Sequence, residues 1–173
     1  DMAMVGQDQG PEGTAALAVV APVWNIIYSL GLLMGIGGSV LFSARRGGLG
    51  GEADSGSENE FFTAALIGAV LVTVPSWAAI LLFEEPILTF FGADGTLLPL
   101  AMAYLKPVKA AFPLFLFTQL LSAFLRNDGD PGRATAAVLG GGVFNIFGDW
   151  FFVFALDMGV FGAGLATAMG AAV

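Results

Sequence analysis

Asp149 lies in an otherwise uncharged apolar run over residues 134–156, with Asn145 four positions before it and Gly141 four before that. On a helix, positions four apart share a face. The spacing therefore predicts a carboxylate beside a carboxamide, with a position lacking a side chain one turn further back. A charged group at membrane depth costs about 2.5–3.5 kcal/mol on insertion scales, and it usually faces an internal cavity or an ion pathway. Burial disfavours the ionised carboxylate and a bound cation favours it. Asp149 thus suits a proton or a sodium ion. No cysteine and no histidine is present, so disulfides and thiolate metal sites are excluded. Any proton or cation chemistry must run on carboxylates and neutral oxygens.

The elements that position this pair must be membrane helices. Apolar residues make up 57% of the chain and charged residues only 12%, about half the usual share for a soluble domain. Residues 14–44, 61–83 and 110–125 contain no charge at all. About 20 helical residues cross a hydrocarbon core, so the second of these fits one crossing. The first is longer and is expected to tilt, or to bend near Pro22. The chain begins at Asp1, with no basic, apolar leader, and ends at Val173 inside an apolar run that starts near Val160. It reads as a fragment: the tail of one helix, four complete spans, and the beginning of a sixth helix.

The connections take sides by charge. Arg45 and Arg46 precede a glycine-rich stretch, Gly47-Gly48-Leu49-Gly50-Gly51, followed by Glu52, Asp54, Ser55, Glu58 and Glu60. Arg126 and Arg133 bracket Asn127-Asp128-Gly129-Asp130-Pro131-Gly132. The connections at residues 7–13, 84–96 and 157–159 hold no lysine or arginine. Arginines on alternate connections place those two on the cytoplasmic side, so the Asp1 end points outward. Lys106 and Lys109 are the exception near the outer end of their span, and the expectation is that both snorkel to the headgroups. Pro107 and Pro113 each suggest a bend in that helix.

Small residues mark close helix contacts, which hold membrane helices together. Gly31 and Gly35 form a G-x-x-x-G pair, and Gly162, Ala166 and Gly170 make a stripe on the last helix. Gly140-Gly141-Gly142 weakens its helix locally, which suits either a bending segment or close packing. Asn25 and Gln119 are read as packing residues.

The run Asn145-Ile146-Phe147-Gly148-Asp149, followed by Met158-Gly159-Val160-Phe161-Gly162-Ala163-Gly164-Leu165-Ala166-Thr167, resembles the multidrug and toxic compound extrusion (MATE) transporters. That family shows an N-x-x-x-D helix, a short outer turn and a G-x-x-G-A-x-x-A-T helix. Asp1-Met2-Ala3-Met4-Val5-Gly6 resembles the close of the family's first helix, and Phe91-Gly92-Ala93, Tyr104-Leu105 and the Leu125–Pro131 loop residues fall where the family has similar motifs. The resemblance implies an all-α polytopic membrane protein. Residues 1–173 would be part of the six-helix N-terminal lobe of a twelve-helix, two-lobed transporter, with the C-terminal lobe absent.

The resemblance also implies a cation-binding cluster of Asp1, Asn145, Asp149 and Thr167. All four bear oxygen, which suits a hard cation such as sodium. The implied function is cation-coupled antiport, with Na+ or H+ as coupling ion and no cofactor, exporting organic cations or amphipathic drugs by alternating access. The implied partners are the lipid bilayer and the small-molecule substrate, with no nucleic acid. The implied setting is a monomer in a prokaryotic plasma membrane, and not an enzyme. Three alternatives stay open. A non-transporting membrane scaffold would leave the buried polar face unexplained. A flippase for lipid-linked sugars would use basic residues such as Lys106 and Lys109 in its cavity. An intramembrane aspartyl protease would pair Asp1 with Asp149, but Ile146 stands where its G-x-G-D motif needs the first glycine.

Overall fold

The computed structural model describes residues 1–46 and 57–172. The glycine-rich connection and its first acids, residues 47–56, lie outside them. The described elements are helices: α1 (Met2–Arg46), α2 (Ser57–Phe90), α3 (Leu97–Asn127), α4 (Pro131–Asp149), a π-helical continuation (Trp150–Ala155) and α5 (Gly159–Gly170). Four stretches are long and apolar enough to cross a membrane: Met2–Ala44, Glu60–Phe90, Leu97–Asn127 and Pro131–Ala155. The bundle turns large apolar side chains outward, with Leu71 69%, Leu82 75% and Phe90 84% exposed. In water such a surface is a liability; in hydrocarbon it is the solvated face.

The connection expected over residues 7–13 is helical except at Gly10, so the long first helix breaks there and not at Pro22. Gly10 adopts φ 69°, ψ −156°, a region essentially closed to residues with a Cβ. Pro11 follows at the first position of the next helical stretch, where its missing N–H costs nothing. Pro22 stays inside regular helix. In α2 the departure falls at Phe83 (φ −123°, ψ 28°), one residue after the carbonyl that the Pro86 ring would strike. The chain remains helical to Phe90, so the connection expected over residues 84–96 shrinks to 91–96. In that turn Asp94 Oδ1 accepts from the main-chain N–H groups of Thr96 (3.2 Å) and Leu97 (3.1 Å) and from the Thr96 hydroxyl (3.0 Å). These groups, the Leu97 N–H foremost and then Thr96, hold the Asp94 carboxyl below the usual carboxylate range. Pro107 and Pro113 leave α3 one continuous helix.

Helix α3 packs against α1, α2, α4 and α5, and its Leu105, Phe112 and Leu116 are fully buried. Gly31 and Gly35 admit it to α1: a Cβ on Gly35 would lie 3.0 Å from the Leu120 Cα. At the arginine-rich end, Asn127 Nδ2 donates to buried Ser39 Oγ at 2.7 Å. At the other end, Lys109 does not simply snorkel. Its ammonium pairs with Glu84 just past the α2 break, and both side chains are about four-fifths buried. Trp77 Nε1 donates to the Lys109 carbonyl at 2.7 Å and ties the same two helices. Lys106 is exposed, as a snorkelling residue would be.

Candidate functional site

Asp1, Asn145, Asp149 and Thr167 come together from three parts of the chain. Asp149 closes α4 and is 0% exposed. Its Oδ2 lies 2.7 Å from the chain-terminal nitrogen of Asp1, and neither of its oxygens has a hydrogen-bond partner among the described residues. Asp1 Oδ2 accepts two hydroxyls, from Thr167 Oγ1 at 2.6 Å and from Tyr104 at 2.6 Å. Asn145 Nδ2 donates to Thr167 Oγ1 at 3.1 Å. The Tyr104 and Thr167 hydroxyls are themselves 3.3 Å apart. Two ordered chains of donors therefore converge on one carboxylate: Asn145 through Thr167, and Trp24 through Tyr104, with Trp24 Nε1 3.4 Å from the phenolic oxygen.

Asn145 and Asp149 share a helix face, but they do not bond each other. Gly141 borders a cavity beside Asn145 and also admits a neighbouring helix: a Cβ there would sit 2.5 Å from the Gly170 carbonyl oxygen. The glycine lets α5 approach closely enough for Thr167 to meet Asn145. Nothing lies within 4 Å of a Cβ built at Gly140 or Gly142, so only the middle glycine of the three is needed for this contact. The π-helical turns begin at the residue after Asp149; such widened turns are frequent at functional sites.

Tyr104, Trp24 and Gln119 are the residues that sequence reasoning missed as site members. Tyr104 stands out in the sequence only as half of a Tyr-Leu motif, and Gln119 as a packing residue. Gln119 in fact lines a cavity of about 440 Å³ between α1, α3, α4 and α5, together with Trp24, Tyr28, Phe115, Asn145 and Thr167. The cavity touches the cluster through Asn145 and Thr167, and its remaining walls are aromatic or uncharged. A larger recess of about 580 Å³ lies against α2, but its lining, with Phe83, Phe90 and Phe112 among it, is apolar apart from Ser76 and includes no member of the cluster. The smaller cavity is the one that belongs to the site.

Seven residues in from the start of α3, Tyr104 lies about 10 Å below that end of the bundle at 1.5 Å per residue. The cluster is thus inside the apolar layer, in the half away from the arginine-bearing turn. Two carboxylates, two hydroxyls and a carboxamide form an oxygen-rich set that suits a proton or a hard cation. The Asp149 oxygens are the atoms that such an ion would satisfy.

The chain matches the MatE family over residues 1–151. It is 28% identical over 156 residues to the multidrug export protein MepA of Staphylococcus saprophyticus, an alignment covering 90% of this chain and 34% of that protein. MepA of Staphylococcus aureus gives the same identity and coverage. Among solved structures, MATE in the bent conformation superposes with a TM-score of 0.88 at 27% identity, covering 99% of this chain and 37% of that one. The inward-facing conformation of a multidrug resistance MATE family transporter of the MOP superfamily gives a TM-score of 0.89 at 27% identity, covering 99% and 38%. The chain therefore spans about a third of the length of these relatives, the share expected of part of one lobe. Its apolar helices and this kinship make it a multi-pass membrane protein, and it belongs to the MatE family of multidrug and toxic compound extrusion transporters.

Proposed function

We propose that this segment is most of the N-terminal lobe of a cation-coupled antiporter, and that Asp1, Asn145, Asp149 and Thr167, joined by Tyr104, hold the coupling ion. The observation that carries this reading is Asp149, wholly buried with neither oxygen hydrogen-bonded among the described residues, at the edge of a hydrogen-bonded cluster that opens on an aromatic cavity. A proton or a sodium ion relieves that buried charge. The cavity suits an organic cation or amphipathic drug, whose charge is attracted by aromatic faces. If ion and drug favour different lobe conformations, each shifts the population by its differential affinity, and exchange across the membrane follows. A bacterial plasma membrane is the proposed setting, since the relatives named above come from Staphylococcus, and a monomer in the bilayer is the proposed working unit.

The other readings fit less well. A carboxylate dyad for peptide hydrolysis needs two carboxyl groups facing each other; here the Asp1 carboxylate is occupied by Tyr104 and Thr167, and Asp149 has no hydrogen bond to it among the described residues. A pyrophosphate-binding flippase needs cations in the cavity, and neither Lys106 nor Lys109 lines it. The test is efflux of ethidium from vesicles carrying the complete protein, wild type against Asp149→Asn, under an imposed sodium or proton gradient. The expected result is gradient-driven efflux by the wild type alone, and the ion that drives it is the coupling ion. Equal efflux by both proteins at equal levels overturns the role of Asp149.

A further inference from the structure

We propose that the recess of about 580 Å³ beside α2 seats one acyl chain of a phospholipid in the outer leaflet, the leaflet away from the arginine-bearing connections. The inference rests on the membrane setting and stands apart from the antiport reading. Helices α1 and α2 touch closely toward the arginine end and part toward the other. A Cβ on Gly38 would lie 2.5 Å from the Ala65 Cβ, and one on Gly68 would lie 3.3 Å from the Met34 sulfur. Further out the recess lies between the two helices. Helix α1 lines it with Val23 and Ile26, α3 with the fully buried Phe112, and α2 with a stretch from Ser76 to Phe90. That stretch is about 21 Å of helix at 1.5 Å per residue, against about 15 Å for one leaflet, half of a hydrocarbon core. It ends at the turn over residues 91–96, so the recess runs from the outer membrane surface toward the bilayer centre.

The opening is built into the fold. Residues on both sides of the α2 break at Phe83 line it, Ala79 before and Ile87 after. Helix α2 is tied to α3, and not to α1, on either side of that break. Trp77 Nε1 donates to the Lys109 carbonyl, which Pro113, having no N–H, leaves without its helical donor. Two turns further along α2, Glu84 pairs with the Lys109 ammonium. Closing α2 onto α1 would break these ties, and separating a largely buried ion pair is costly. Water does not fill such a space, because a buried water needs several polar partners. Ser76 brings the one polar side chain among the described residues lining it. The surface around the mouth identifies the occupant. Val74, Leu82 and Phe90 of α2 are exposed, while its small residues Ala65 and Ala69 are buried. Helices that pack on another helix in lipid present small residues, so the exposed face of α2 is fitted to acyl chains and not to a further helix. An acyl chain in the recess meets protein atoms from three helices, and these dispersion contacts exceed those of a lipid on an open helix face.

The test is photo-cross-linking of the complete protein carrying p-benzoylphenylalanine in place of Phe83, inside the recess, or of Leu82, exposed beside it. Each protein is irradiated in vesicles of phosphatidylethanolamine and phosphatidylglycerol, and again after extraction and extensive washing in dodecyl maltoside. Mass spectrometry reads the adducts. In vesicles both positions should gain the mass of one phospholipid. After washing, the phospholipid adduct should persist at position 83 and be lost at position 82. Adding Ala79→Phe, which fills the recess from within, should abolish the persistent adduct in a protein that melts like its parent. Ile87→Phe serves the same purpose if A79F does not fold. Loss of phospholipid from both positions on washing, or its replacement by detergent at position 83, overturns the inference, since the recess is then ordinary lipid-facing surface. A cross-link from position 83 to another segment of the chain in vesicles also overturns it, because protein then covers the recess. So does a persistent adduct that the filling substitutions leave unchanged.

Discussion

Replacing Asp149 by asparagine should abolish the protein's thermal response to its coupling ion without weakening the fold. The side chain is 0% exposed, and neither carboxylate oxygen has a hydrogen-bond partner among the described residues. The amide preserves the shape. It replaces a buried charge with a neutral group; the amide Nδ2 is also unsatisfied, at about 1–3 kcal/mol, but an unpaired buried charge costs more. In ion-free buffer the variant should therefore melt at or slightly above the wild type. Ion binding to the native state alone adds about 2.7 kcal/mol at one hundred times the dissociation constant. One kcal/mol moves the midpoint by about 2–4 °C for a domain of 150–250 residues, and by less for a longer chain. The wild type should thus rise by about 3–6 °C as the coupling ion is added, and D149N by less than 1 °C. Fluorescence-detected melting of the complete protein in detergent reads this, with sodium varied against choline at fixed pH and pH varied at fixed sodium. A D149N protein that keeps the full ion response refutes the assignment, because the ion then binds elsewhere. One that melts far below the wild type in every buffer shows Asp149 to be a structural residue.

Three further outcomes follow from the packing. Gly141→Ala should disrupt transport and cost about 1–3 kcal/mol through overpacking, since its Cβ would lie 2.5 Å from the Gly170 carbonyl oxygen, whereas Gly140→Ala meets open space and should be neutral or slightly stabilising; paired melting and efflux assays separate them. For the Glu84–Lys109 pair, Glu84→Gln or Lys109→Met alone leaves a largely buried partner charge, so the double variant should melt closer to the wild type than either single one. Asp94 has its carboxyl lowered, by the Leu97 N–H first and then by Thr96, so its stabilisation of the α3 start is present above the unfolded carboxylate pKa and is lost as pH falls through the lower folded value. Asp94→Ala should accordingly speed amide exchange at Thr96 and Leu97 near neutral pH, and the difference from wild type should vanish in strong acid.

The sequence by itself determined that the chain is built of apolar membrane helices, and the register of the site on its own helix. Uncharged runs identify membrane helices because the bilayer admits little else, and the four-residue spacing of Asn145 and Asp149 puts them on one face whatever surrounds them. Motif order then named the family and brought Asp1 and Thr167 into the set. The helix breaks were less legible, because a proline marks a possible bend but neighbouring helices decide whether it is needed: Pro22 and Pro113 stay in regular helix, while Gly10 and Phe83 carry the irregular backbone. Only the tertiary structure brought Trp24 and Tyr104 to Asp1, Gln119 to the cavity, and Glu84 to Lys109. Periodicity is a property of one helix, whereas these contacts depend on which faces meet across the bundle. Close approach at small residues sets those faces, and a one-dimensional pattern does not contain them.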